Sequence, residues 1–149
     1  MEFRTIEEIL DFAIQREDAA AALYASMAER VTRPEMREAL LSFAEEEKRH
    51  KRRLLKIKRG ELPAVAEEKI LDLKIADYVE LPEVTPRMDY PEALRFAMNA
   101  EKAAFRLYSG LAAASPPSHA AVFRALAQEE AKHKLRFELE YEDNVLKSW

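Results

Sequence analysis

Four stretches of this 149-residue sequence carry apolar side chains stepping by four and three positions, and every one of those seams is interrupted near its middle by acid or imidazole. Such stepping is the pattern of helices packed against one another in a bundle. The first seam runs Ile6, Leu10, Ala13, Glu17, Ala20, Tyr24, Met27, Val31, and the second Met36, Leu40, Phe43, Glu47, His50, Leu54, Ile57. The third is Tyr90, Leu94, Ala97, Glu101, Ala104, Tyr108, Leu111, and the fourth Phe123, Leu126, Glu130, His133, Phe137. Six ionisable residues therefore face an apolar interior. A buried charge must be paired or must hold a metal, because water is no longer there to solvate it.

The six form two copies of one pattern. A lone Glu on one helix is followed by Glu-x-x-His on the next: Glu17 with Glu47 and His50, then Glu101 with Glu130 and His133. The surrounding residues repeat as well. LDFAIQREDAAAALY (Leu10–Tyr24) aligns with LRFAMNAEKAAFRLY (Leu94–Tyr108), and FAEEEKRHK (Phe43–Lys51) with LAQEEAKHK (Leu126–Lys134). A duplicated helical hairpin, with a pseudo-two-fold axis through the six residues, explains both repeats. Glu-x-x-His turns by about 300° and rises about 4.5 Å, so both side chains share one helical face. Two such helices plus one Glu from each of the others match the donor set of carboxylate-bridged dinuclear bundles.

Four ionised glutamates are neutralised by two divalent cations. Without cations, burial and mutual repulsion force some of the carboxylates to take up protons. The chain has no Cys, which excludes disulfides, thiol catalysis, zinc ribbons and iron–sulfur clusters. A mixed Glu/His set favours Fe or Mn, with Zn able to occupy it adventitiously. Di-iron and manganese–iron centres both remain open, and the competing reading is an inert bundle with buried ion pairs. Tyr24 and Tyr108 lie two turns beyond the lone glutamates, either as core aromatics or as hydrogen-bond donors to the carboxylates. Glu46 and Glu129 either orient a histidine on a neighbouring helix or form surface salt bridges. His119 has no Glu at the required spacing and is expected outside the set.

The expected fold is all-α: an antiparallel four-helix bundle of two duplicated hairpins, forming one domain over residues 1–149. The first hairpin spans about 4–59 and the second about 90–147. Residues of about 60–89 form a crossover between them. Thr32 before Arg33-Pro34, and Ser115 before Pro116-Pro117, are read as helix starts, because Pro suits a first turn and Ser or Thr can cap. Pro91, after Asp89, opens the third helix, while Gly60 and Pro63 close the second. Within the crossover, AVAEEKILDLKIADYV is expected to form a short helix presenting Ile70, Leu73 and Val79.

A net charge of −4 argues against nucleic acid as a partner. The local exception is KRHKRRLLKIKR (Lys48–Arg59), a solvated helix face rather than a phosphate-binding patch, since no aromatics are interleaved. No apolar run approaches the ~20 residues that span a bilayer, and MEFRTIEEIL lacks a signal-peptide core. A cytoplasmic protein with no membrane association is expected.

The segments QREDAAAALY, EEEKRHK, NAEKAAFRLY and QEEAKHK resemble the rubrerythrin branch of the ferritin-like superfamily, and the resemblance covers nearly the whole chain. It implies a ferritin-like di-iron domain with two Fe ions, bridged by Glu47 and Glu130. Glu17 and Glu101 would be terminal carboxylates, and His50 and His133 would each bind one metal. It further implies reduction of hydrogen peroxide or dioxygen, with ferroxidase or iron handling, or a non-catalytic metal-binding bundle, as alternatives. Rubrerythrins proper carry a four-Cys rubredoxin domain. With no Cys here, electrons are expected from a separate donor such as a rubredoxin. An additional glutamate of the family's third helix corresponds to Ala104, which weighs against a ligand-exchange step. By the same resemblance a homodimer is expected.

Overall fold

In a computed structural model of the chain, residues 5–60 and 89–145 are described. They form four helices: α1 (Ile6–Arg30), α2 (Pro34–Lys58), α3 (Tyr90–Ala113) and α4 (Pro117–Asn144). There are no strands among the described residues, and the architecture is the all-α four-helix bundle. α1 packs along α2, α3 packs along α4, and α1 meets α3 across the middle. The crossover and its expected short helix with Ile70, Leu73 and Val79 lie outside the described residues.

Local chemistry sets the helix ends. Thr5 caps α1 by accepting from the Glu8 backbone N–H at 3.1 Å, and Asp89 caps α3 by accepting from the Glu92 N–H at 2.8 Å. Thr32 and Ser115, expected to start α2 and α4, do not cap them. Arg33 and Pro116 occupy the cap positions without a side-chain capping bond, because Pro34 and Pro117 are themselves the first helical residues. Ser115 instead donates backward to the Leu111 carbonyl at 2.5 Å. Arg37 braces the tight α1–α2 turn by donating to the carbonyls of Val31 (2.9 Å) and Ala28 (3.3 Å). Gly60 closes α2 at φ 76°, backbone that a Cβ disfavours.

The core consists of two apolar clusters with a polar layer between them. One holds Ile9, Ala13, Leu54, Leu107, Leu111, Phe123 and Leu126; the other holds Leu23, Met27, Met36, Leu40, Leu94 and Phe137. On every helix the acid and imidazole positions fall in the gap between them. The apolar ends therefore clamp the helices in register around the polar middle, and that is how an ionic site is held inside a small bundle. Phe123→Ala is expected to cost about 3–5 kcal/mol, since the ring is 1% exposed and its loss leaves a cavity. Urea unfolding of the purified variant measures this directly, and a change below about 1 kcal/mol would show that the cluster does not bear on stability.

The basic stretch of α2 lies as the sequence suggested. His50, Leu54 and Ile57 point inward, while most of its Lys and Arg residues are exposed. Several are paired: Lys51 with Asp18 at 2.9 Å, Lys58 with Asp11 at 2.5 Å, and Lys48 with Glu45 at 3.2 Å. No described helix is long and apolar enough to cross a membrane.

Candidate metal centre

Glu17, Glu47, His50, Glu101, Glu130 and His133 are all buried, none more than 1% exposed. The bundle brings them to one layer. Their potential donor atoms form two groups, Glu17–Glu47–His50–Glu130 and Glu47–Glu101–Glu130–His133, each with its atoms within 4.8 Å of one another. Glu47 and Glu130 are common to both groups. The His50 Nδ1 lies 3.0 Å from Glu130 Oε1, and the His133 Nδ1 lies 3.0 Å from Glu47 Oε1, so each imidazole faces the shared carboxylate of the other hairpin.

Around this layer the contacts cross the bundle in reciprocal pairs. Tyr24 of α1 donates to Glu101 of α3, and Tyr108 of α3 donates to Glu17 of α1. The Nε2 of His50 meets Glu129 of α4, and the Nε2 of His133 meets Glu46 of α2. A carboxylate can only accept, so it places an imidazole proton on Nε2 and turns Nδ1 toward the cluster, where it can ligate once a metal displaces its proton. Helix α2 also packs Phe43 against His133, with ring centroids 4.2 Å apart and the planes tilted by 33°. His119, though buried, stays outside this set, with its Nδ1 3.4 Å from Ser118 Oγ.

Despite these supports, buried donor atoms on the inner side have no hydrogen-bond partner: Glu17 Oε2, Glu47 Oε1, Glu101 Oε2, Glu130 Oε1, and the Nδ1 of both His50 and His133. Each such atom costs about 1–3 kcal/mol when left unmet. All of them are atoms that ligate metal when deprotonated, and they converge on one space, an arrangement that suits divalent cations. The residues fit a dinuclear metal centre.

The chain matches the Rubrerythrin family over residues 8–141. It belongs to the rubrerythrin family. A solved structure of similar fold, the hypothetical protein Pfu-1136390-001 from Pyrococcus furiosus, shares 28% identity with a TM-score of 0.72, over 91% of this chain and 87% of that one. No functionally curated protein matches the chain. The family membership accounts for the bundle and for the carboxylate–histidine layer. At the position where the resemblance expects a further glutamate, this rubrerythrin-family chain buries Ala104 within an apolar cluster.

One member of the layer went unread in the sequence. Arg16 is 5% exposed, and its guanidinium sits among all four carboxylates. Nη1 lies 3.1 Å from Glu130, 3.2 Å from Glu17 and 3.7 Å from Glu47; Nη2 lies 3.8 Å from Glu101 and donates to the Ala100 carbonyl at 3.0 Å. The signal for it was the stripe Ile9, Ala13, Arg16, Ala20, which places position 16 on a face that is otherwise apolar and fully buried. Glu140 was missed too. It is buried away from the layer and gathers Arg33, Tyr90 (2.6 Å) and Asn144 (2.6 Å), tying the α1–α2 turn to α3 and α4.

Electrostatics follow from burial. Glu47 is held well above the usual carboxylate range, by burial first and then by the charge of Glu130. Burial and Glu130 likewise push Glu101 up to about 8. Glu130 goes well below its usual range: burial opposes its ionisation, but the neighbouring Glu47 and the Arg16 guanidinium outweigh it. Burial alone would lower the two histidines, yet the facing carboxylates raise His50 to about 11 and His133 to about 9. Tyr24 and Tyr108 are raised by burial and by Glu101 and Glu17 respectively, so both stay protonated donors.

The histidine supports give a measurable expectation. Glu46→Ala or Glu129→Ala removes the acceptor that fixes one imidazole and is expected to weaken Mn(II) binding about 10–100-fold. Equilibrium titration of each variant checks it. Unchanged affinity would mean that these glutamates serve only the surface.

Proposed function

We propose that this chain is a di-iron oxidoreductase of rubrerythrin type, reducing hydrogen peroxide or dioxygen with electrons from a separate donor protein. The observation that carries the reading is the pair of buried donor groups sharing Glu47 and Glu130, with their unmet lone pairs turned inward. Glu17 and Glu101 would complete the carboxylate set, and His50 and His133 would bind one metal each. Two bound ferrous ions would supply the two electrons that, with two protons, convert hydrogen peroxide to two waters.

The chain's own residues do the rest. Tyr24 and Tyr108 hold Glu101 and Glu17 by hydrogen bonds and keep these carboxylates from swinging. Glu129 and Glu46 fix the imidazole planes, and the apolar clusters at both ends exclude bulk water from the layer. These 149 residues contain no Cys to hold a thiolate-bound iron, and we place the electron relay on a separate protein such as a rubredoxin. The proposed homodimer has a physical candidate in the exposed apolar side chains Phe105, Leu135 and Leu139 of α3 and α4. Light scattering reads its mass.

The test is anaerobic. Protein loaded with ferrous iron is mixed with a stoichiometric amount of peroxide, and iron oxidation is followed optically. The reading requires rapid consumption of one peroxide per iron pair, lost in Glu47→Gln. Oxidation no faster than that variant's would sink it.

A further inference from the structure

The duplicated halves supply the six donors symmetrically, but Arg16 breaks the symmetry. Its counterpart in the second half is Ala100, whose carbonyl accepts the Arg16 Nη2 hydrogen bond at 3.0 Å. That bond anchors the guanidinium in the layer. From there it does not treat the two donor groups alike. Glu17, which belongs only to the His50 group, is hydrogen-bonded at 3.2 Å, whereas Glu101, which belongs only to the His133 group, makes a longer 3.8 Å contact. The shared carboxylates are also uneven, with Glu130 at 3.1 Å and Glu47 at 3.7 Å.

We infer that Arg16 makes the two metal positions unequal: the Glu101–His133 position fills first and tightly, and the Glu17–His50 position fills second and weakly. This rests on the metal centre proposed above. The reasons are electrostatic and geometric. With the ligands deprotonated by metal, four carboxylates and one guanidinium leave a net negative layer that the first divalent ion largely cancels, so the second meets a much smaller field. The second ion must also draw Glu17 away from a bonded cation in a buried layer, where charges are poorly screened. Arg16 does not titrate away to make room, because an arginine side chain keeps its proton in proteins. A site with unequal positions takes its first ion at one defined position, and so can hold two different ions in a fixed order.

The experiment is a titration of the chelator-treated full chain with Mn(II), counting free ion by electron paramagnetic resonance. Wild type is expected to bind in two steps separated by about tenfold or more in affinity, a tenfold step being 1.4 kcal/mol. Glu101→Gln should abolish the tight step and Glu17→Gln the weak one. Arg16→Gln keeps hydrogen-bond donors without the charge, and it should tighten the weak step until the two nearly merge. Arg16→Lys keeps the charge and should preserve the separation, so a folding defect in one variant does not decide the matter. Two equal steps in wild type, or an unchanged separation in Arg16→Gln, would overturn the inference and leave the metal centre standing. If wild type binds no Mn(II), Fe(II) or Zn(II), the centre itself falls and this inference with it.

Discussion

Replacing Glu47 with Gln should leave the metal-depleted protein about as stable as wild type, whereas Glu130→Gln should destabilise it by roughly 3 kcal/mol. The two residues occupy equivalent places in the duplicated halves, so symmetry alone would predict equal effects. Arg16 separates them. It lies 3.1 Å from Glu130 but 3.7 Å from Glu47. Glu47 is accordingly held in its protonated form by burial and by the adjacent charge, and a neutral amide of the same shape mimics that form. Glu130 is held ionised, and its amide would leave the buried guanidinium short of a partner. Breaking a buried charge pair costs about 3–5 kcal/mol, and the low end applies because Glu17 still faces Arg16. In a chain of this length that lowers the melting temperature by about 6–12 °C. Thermal unfolding in the presence of EDTA compares the two variants, and equal shifts would show that Arg16 does not discriminate between them. Both substitutions should nonetheless cut metal binding to at most about one equivalent, since each removes a donor common to both groups.

Stripping metal from the wild-type protein is expected to lower its melting temperature by about 10–20 °C relative to the loaded form. An ion at a free concentration 100 times its dissociation constant stabilises the folded state by about 2.7 kcal/mol, and two ions by about twice that. The folded chain also carries buried donor atoms without hydrogen-bond partners, which bound cations satisfy. The gain must depend on pH. Glu101 titrates at about 8 and His133 at about 9, so below those values each holds a proton that a metal has to displace. The loaded-minus-stripped difference therefore grows as pH rises from about 6 towards 8, as proton competition weakens. Calorimetry with Mn(II) and with EDTA at several pH values provides the comparison. A melting temperature indifferent to metal would remove the basis for the proposed chemistry.

Much of this arrangement was legible because helical spacing determines which side of a helix a residue occupies. All six acid and imidazole positions read from the seams are buried. Of their apolar neighbours whose burial is described, only Phe43 and Tyr90 are partly exposed. Helix starts were read less well at Thr32 and Ser115, since proline at the first helical position leaves the preceding residue as the cap whatever its side chain.

The linear order of residues determined the helix class, the duplicated hairpin and the identity of the inward-facing acids and imidazoles, because these depend on periodicity within single helices. Only the packed bundle decided that Tyr24 reaches Glu101, that His50 leans on Glu129, and that Arg16 occupies the midst of four carboxylates. Those pairings depend on the axial register and rotation of one helix against another. Register is set by how the two apolar clusters interlock along the bundle, and no spacing within one helix encodes it.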